Sequence, residues 1–372
     1  MLPIAKKGLR VPTLAEKIEA RLGPARRKII EQVVERKGKD AEIDLVAAYE
    51  RSAGLLGRYV TLDSRHYEAI HRVRQQISKY AEDKTRGRPL SFLMQAEPGS
   101  GKSHFVKCLA ESLKRHDAVA VDYNMASLEK MEDLVQPLDA VRNLKVQDRL
   151  PILFLDEFDS DPDRYPLLLP LLWDGELIVA HRNLKLGKLV IILAGSGDVI
   201  GKAMAAAKTM WPLVDRGDGK LVDLLSRING GELEIPPMDL CKGGRDRRAD
   251  KVCITISLLQ ARFGSDLRLV PLSLLRFVAT TKFRYSARSI ANLVDLVKPF
   301  KPDAKEWCQL THEQLQFPFD SVSRLRNSAL VGHICCESED GPKEIITKWG
   351  TLASDEAYVR ILNEPVEGEE EL

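Results

Sequence analysis

The chain has 372 residues, 44% of them hydrophobic and 30% charged, with a formal net charge of only +2. That length suits two or three domains with sizeable cores, the near balance of charge excludes a global electrostatic pull toward nucleic acid or membrane, and no apolar run approaches the roughly 18 residues that cross a bilayer. Six cysteines are scattered without a Cys-x-x-Cys pair, and the opening "MLPIAKKGLRVP" lacks the long apolar segment of a signal peptide, so reduced thiols in a cytoplasmic protein are expected.

Residues 1–40 carry eleven basic side chains against five acidic ones. The stretch "TLAEKIEARLGPARRKIIEQVVERKGK" has helical spacing and an expected break at Gly23–Pro24, which reads as two solvated amphipathic helices or as a docking arm for a partner or for nucleic acid. From about residue 60 helices and strands alternate. "RHYEAIHRVRQQISKYAED" is a predicted helix, and "PLSFLMQ", "AVAVDYN", "PILFLDEF", "KLVIILAGS" and "GELEIP" are five predicted strands. Continuous apolar runs of this kind suit parallel strands buried on both faces. Their alternation with helices predicts an α/β fold, a three-layer arrangement around a parallel five-stranded sheet.

Between the first of these strands and the helix "SHFVKCLAESLKR" lies "QAEPGSGKSHF". It matches the P-loop pattern G-x-x-x-x-G-K-[ST], with Ala96 at the first position and Gly101, Lys102 and Ser103 completing it. Gly99 and Gly101 permit backbone conformations that a Cβ forbids. Successive N–H groups can then face phosphate oxygens, aided by the positive end of the following helix. Lys102 is expected to reach the β- and γ-phosphates of ATP, and the Ser103 hydroxyl to ligate Mg²⁺. Pro98, Gly99, Ser100, Gly101, Lys102, Ser103 and His104 are the expected nucleotide contacts of this loop. The third strand ends in Asp156-Glu157, 54 positions after Lys102. At the C-terminal edge of a parallel strand side chains face the ligand crevice. Asp156 there suits a water-mediated Mg²⁺ ligand, and Glu157 suits polarising an attacking water.

With these motifs and several weaker ones in the same order, residues 60–300 resemble the AAA+ ATPases. "LVIILAGSGD" looks like the sensor 1 strand, with Ser196 as the residue that positions the lytic water. "LVDLLSRINGGELEIPPM" resembles the segment ending in the arginine finger, at Arg227. "FRYSARSIANLVDLV" resembles the sensor 2 helix of the lid, with Arg288 at the matching arginine. The resemblance implies ATP hydrolysis, Arg288 acting on the subunit's own ATP, and Arg227 acting on a neighbour's in a homo-oligomeric ring, most often a hexamer. It also divides the chain into a basic helical extension over 1–59, the α/β core over 60–238, a helical lid over 239–300, and a C-terminal extension over 301–372 with an acidic tail. Other P-loop classes fit less well. There is no Asn/Thr-Lys-x-Asp guanine reader, and "INGGE" lies after the Asp-Glu strand, whereas an ABC signature would precede it.

Two inserts bear on the partner. "LLWDGEL" resembles the helix-then-turn of Clp-type relatives, and the following "IVAHRNLKLGK" is expected to fold as a hairpin with His181, Arg182, Asn183 and Lys185 near its tip, either as a pore element that grips a polyanion or as a solvated loop. The loop "NMASLEKMED" lacks the aromatic–aliphatic–Gly step of polypeptide-threading relatives. In the C-terminal extension, "HICC" at His333–Cys336 reads as a metal site or, more plainly, as packing cysteines. Trp307, Phe317, Pro318 and Phe319 suggest a small packed element, and "KEIITKWGTLASDEAYVRILNEP" suggests one or two helices. Two functions follow. One is a motor that remodels a protein or nucleic-acid partner, and the other an ATP-gated switch or scaffold that regulates a separate effector, with no membrane involved in either.

Overall fold

The computed structural model describes residues 12–35, 41–43, 56, 58–179, 182–195, 218–239, 246–264, 267–296, 308–309, 333–335, 344 and 357–361. Helix α1 (Leu14–Ile29) starts on a capping box, in which Thr13 Oγ1 accepts from the Glu16 N–H (3.2 Å) and the Glu16 carboxylate accepts from the Thr13 N–H (2.8 Å). The expected break at Gly23–Pro24 does not occur: the helix runs through both residues and continues as a π-helical turn over Ile30–Glu35. A proline inside a helix costs about 3 kcal/mol. Against that, Ile18, Leu22, Ile29 and Val33 are all buried along this segment, and each buried aliphatic side chain contributes about 1.5–3 kcal/mol. Packing therefore outweighs the proline, and the segment is a half-buried helix where solvated ones were expected.

Strand β1 (Ala41–Ile43) precedes α2 (Ser64–Glu82). Asp63 caps α2 by accepting from the N–H groups of Arg65 and His66. The core then runs β2 (Leu90–Ala96), α3 (Lys102–Ser112), β3 (Val119–Asn124), α4 (Val135–Val146), β4 (Pro151–Asp156), α5 (Tyr165–Asp174), β5 (Glu176–Val179), β6 (Arg182–Lys185), β7 (Val190–Gly195), α6 (Asp218–Ser226) and β8 (Gly231–Ile235). The sheet has the order β3-β4-β7-β2-β8 and is parallel throughout. Every residue of β7 is buried, as its uninterrupted apolar run requires of a central strand. The register matters for the site: Gln95 lies beside Gly195, and Asp156 beside Ala194. The loop after β2 and the acidic pair after β4 thus leave the same edge of the sheet, with one strand between them.

Strands β5 and β6 form the expected antiparallel hairpin, paired Val179↔Arg182 through Glu176↔Lys185. That register corrects the expected position of Lys185. It sits at the open end, away from the tip, and its Nζ lies 3.2 Å from Glu176 Oε1. His181 lies outside the described residues.

Beyond the core come α7 (Arg248–Phe263), β9 (Leu267–Pro271), α8 (Leu272–Thr280) and α9 (Ser286–Leu296), followed by β10 (Cys308–Gln309) and β11 (Tyr358–Ile361). Val252, Leu275 and Ile290 from these helices share one hydrophobic cluster with Ile18, Leu22 and Ile29 of α1. A second sheet, in the order β1-β11-β9-β10, joins strands from distant parts of the sequence to β9, in the segment expected as the lid. Residues 358–361 are therefore strand where helix was expected. β11 is antiparallel to β9 and parallel to β1, and the run Tyr-Val-Arg-Ile has the β-branched and aromatic content that a pleated surface favours. The element expected around Trp307 and Phe317–Phe319 lies outside the described residues. Among the described residues no helix is long and apolar enough to cross a membrane.

Because Leu22 is buried in the lid cluster, Leu22→Ala is expected to lower the unfolding free energy by about 2–5 kcal/mol in urea titrations. A solvated Leu22 would change it by less than about 0.5 kcal/mol.

Candidate functional site

The loop between β2 and α3 is shaped by its glycines. Gly99 (φ +79°) and Gly101 (φ +89°) are both left-handed, the region that L side chains avoid. A Cβ on Gly99 would come within 2.3 Å of the Tyr285 carbonyl oxygen. Ala96, where the P-loop pattern usually has glycine, is the last residue of β2 and pairs with Ile235. It is still extended there, so its side chain costs nothing.

Gly101 is the N-cap of α3 and supplies no side-chain cap, so the first-turn N–H groups lack that partner. Ser100 Oγ is buried without a hydrogen-bond partner. Lys102 is 8% exposed, with its Nζ 3.0 Å from Asp156 Oδ1. Ser103 lines the same space. A glycine cradle, an uncapped helix end, an orphaned hydroxyl and a buried ammonium together fit an anion of phosphate chemistry. A serine hydroxyl beside a carboxylate is the hard-oxygen donor set that Mg²⁺ takes.

Beyond Asp156 the chain turns sharply. Glu157 has φ +53°, and its N–H donates to Asp156 Oδ1 at 3.0 Å. A non-glycine residue held there costs on the order of 1 kcal/mol.

The loop opens into a cavity of about 300 Å³. One wall is the P-loop from Gly99 to His104 together with Asp156, and Arg288 of α9 closes another side. The Arg288 backbone N–H donates to Gly99 O (2.9 Å) and Tyr285 O (3.0 Å). The remaining wall is mostly apolar and includes Tyr59, Val60, Ile235, Met238, Ile254 and Leu258.

Tyr59 is held in place by its hydroxyl, 2.9 Å from His66 Nε2, and by an edge-on contact of its ring with Phe105 at 5.0 Å. Burial pushes the Tyr59 hydroxyl well above its usual pKa. Burial, and then the charge of Arg247, push His66 down to about 3. Arg247 also lines the cavity. Its Nη2 lies 3.1 Å from Asp250 Oδ1, an oxygen that also accepts from the Leu62 N–H at 2.8 Å, and its Nη1 donates to Pro236 O at 2.9 Å. This buried pair ties the segment before α2, the end of β8 and the first turn of α7 around the cavity.

A family model described as the KAP family P-loop domain matches residues 71–141, from α2 through the loop into α4. The matched stretch holds the P-loop of the parallel α/β core. Among the described residues, the predicted ones divide into three groups. Gly99, Ser100, Gly101, Lys102, Ser103, His104, Asp156 and Arg288 meet at one cavity. Pro98 is exposed at the rim, and Glu157 lies next to Asp156 without lining the cavity. Arg227 stands apart, just after α6, with its Nη1 donating to Leu169 O at 2.9 Å and its Nε 3.6 Å from Asp223 Oδ1. Ser196 lies outside the described residues. Sequence reasoning missed Tyr59, Val60, Arg247, Ile254 and Leu258, none of which belongs to a motif.

Solved structures similar to the chain include NtrX from Brucella abortus in complex with ADP, at 18% identity and TM-score 0.42, covering 68% of this chain and 53% of that one. The S. cerevisiae Hsp104–ADP complex is 17% identical with TM-score 0.41, covering 77% of this chain and 48% of that one. The chain spans about half the length of these structures. No curated protein matches it.

The depressed pKa of His66 makes stability depend on pH. The unfolded imidazole takes up a proton near pH 6.5, and the folded one only near 3. The contribution is therefore complete above about pH 6.5 and is lost as pH falls through this window, at up to about 1.4 kcal/mol per pH unit. In denaturant titrations between pH 6 and 4, His66→Phe is expected to show a shallower fall in stability than the wild type. Equal slopes would place His66 in water.

Proposed function

We propose that the chain is an AAA+ ATPase that binds ATP with Mg²⁺ in the cavity between sheet and lid and hydrolyses it to ADP and phosphate. The observation that carries this reading is the ion pair of buried Lys102 with Asp156 at the foot of an uncapped helix, directly after two left-handed glycines. The charge of Lys102 turns to the β- and γ-phosphates when they enter. Asp156, freed from its ion pair, and Ser103 would hold Mg²⁺, which would supply positive charge beside the phosphates. Glu157, turned out of β4 by its left-handed backbone, takes the proton of the attacking water, and Ser196 orients that water. Arg288 contacts the γ-phosphate of its own subunit. The apolar wall of Tyr59, Ile235 and Leu258 receives the nucleobase.

We further read the chain as a ring-forming ATPase, a hexamer in the first instance, that works in the cytoplasm on a protein or nucleic-acid partner. Arg227 supports a role across subunits because it lies outside the cavity of its own chain. A specific observation favours the second reading, an ATP-gated switch. Lys185 is ion-paired with Glu176 at the base of the hairpin, so the hairpin tip is less basic than a polyanion grip needs. A motor is expected to hydrolyse ATP severalfold faster with its polymer substrate, whereas a switch assembles with ATP alone.

Lys102→Ala is expected to abolish ATP binding, measured by calorimetry. Glu157→Gln is expected to keep binding and to lower phosphate release by roughly 10²–10⁴-fold, the usual share of general-base catalysis. Equal turnover in Glu157→Gln and wild type would remove Glu157 from the mechanism. For Arg227, mixing the inactive Arg227→Ala and Lys102→Ala proteins is expected to restore part of the activity, since some interfaces then pair an intact P-loop with an intact arginine. No recovery in subunits shown to co-assemble would confine Arg227 to its bond with Leu169.

A further inference from the structure

Residues 333–335 are 37 positions beyond the end of α9, yet they pair with the turn that leads into it. Phe283 and Ile334 form an antiparallel bridge. The Arg284 N–H donates to His333 O (2.8 Å), and the Cys335 N–H donates to Lys282 O (2.9 Å). Ile334 is fully buried in the lid cluster, so the segment is packed as well as hydrogen-bonded.

The His333 ring is committed at both nitrogens, Nδ1 being 2.9 Å from Ser289 Oγ and Nε2 2.9 Å from Asn292 Nδ2. An amide nitrogen can only donate, which makes Nε2 the acceptor and leaves the proton on Nδ1, donated to Ser289. A neutral imidazole meets both demands, and no nitrogen remains for a metal. Burial, and then the positive charges of Arg288 and Arg284, hold His333 below its ordinary pKa, in agreement with that neutral form.

From Ser289 the connections lead to the P-loop. Ser289 Oγ also accepts from the Tyr285 N–H at 3.1 Å. The Tyr285 carbonyl occupies the space where a Cβ on Gly99 would be, and it accepts from the Arg288 N–H at 3.0 Å. That same N–H reaches Gly99 O at 2.9 Å. The Tyr285 ring in turn packs edge-on against His333 at 5.3 Å between centroids.

We propose that His333 is a positioning residue for ATP turnover: through Ser289 and the backbone of Tyr285 it sets the first turn of α9, and with it Arg288, against the P-loop. The C-terminal segment is thereby coupled to the nucleotide site, and whatever holds or displaces residues 333–335 tunes hydrolysis. This rests on the ATPase reading above for its kinetic consequence, and on geometry alone for the coupling itself.

The test uses the full chain with His333→Ala and His333→Gln, each also in an Arg288→Ala background, and reads kcat and KM for phosphate release. Misplacing a catalytic group by about 1 Å can cost on the order of 10²-fold. His333→Ala is therefore expected to lower kcat by roughly ten- to a hundredfold with a smaller change in KM, while His333→Gln, which can accept from Asn292 and donate to Ser289, recovers most of the loss. In the Arg288→Ala background His333→Ala is expected to add nothing. Full multiplication of the two losses, or an unchanged kcat in His333→Ala, overturns the proposal.

Amide hydrogen exchange without nucleotide separates this proposal from the ATPase reading. His333→Ala is expected to speed exchange both in 283–291 and in the P-loop, 97–103. Faster exchange in the first region alone means the coupling stops at α9 and overturns the proposal. If wild type does not hydrolyse ATP yet both regions respond, the ATPase reading fails and the coupling stands.

Discussion

The arrangement depends on one close approach. The P-loop and the start of α9 meet so tightly at Gly99 that a Cβ there would overlap the Tyr285 carbonyl at 2.3 Å. Since the next bond along, Arg288 N–H to Gly99 O, is 2.9 Å long, the lid is seated directly on the backbone of the phosphate-binding loop. Any side chain at position 99 would push the lid away and widen the cavity on the side that Arg288 closes. The glycine is therefore needed twice, for its left-handed backbone and for the surface it leaves bare.

Electrostatics reinforces this seat at three points. Lys102 with Asp156 lies at the loop, Arg247 with Asp250 at the first turn of α7, and Lys251 with Asp239 between the core and the lid. Asp239 also accepts from the Phe283 N–H at 2.8 Å, and Lys251 donates to Thr281 O at 2.7 Å. A fully buried pair such as Arg247–Asp250 adds little net stability, because desolvation offsets attraction, but breaking it costs about 3–5 kcal/mol. The effect of the three pairs is to fix where the lid sits more than how strongly the chain folds.

How much of this was legible depended on how local the cause was. The five core strands and the P-loop could be read because continuous apolar runs and left-handed glycines act within a few residues. The departure at Ala96 was legible only as an anomaly, since the reason it is tolerated is its pairing with Ile235 on β8. The break expected at Pro24 failed because the buried stripe from Ile18 to Val33 is stabilised by helices some 220 residues or more downstream. Lys185 looked like a tip residue until the register put it opposite Glu176. Arg247, in the run "GGRDRRAD", belongs to no motif, and only the tertiary position of Leu62 shows why Asp250 draws it inside. β11 lies in a stretch whose helical spacing was real but whose partner strands, β1 and β9, come from distant parts of the chain.

The second sheet has a consequence for how the protein is made. β9 is flanked by β11, and β11 by β1, so the sheet gathers residues 41–43, 267–271 and 358–361. The core sheet is complete once residue 235 has left the ribosome, and domains generally fold as units in order of synthesis. A nascent chain therefore passes through a stage with a formed phosphate loop and an unfinished lid, and it closes the lid sheet only after residue 361 has emerged. Such long-range pairing is slow to form, so the second sheet closes well after the core sheet has folded.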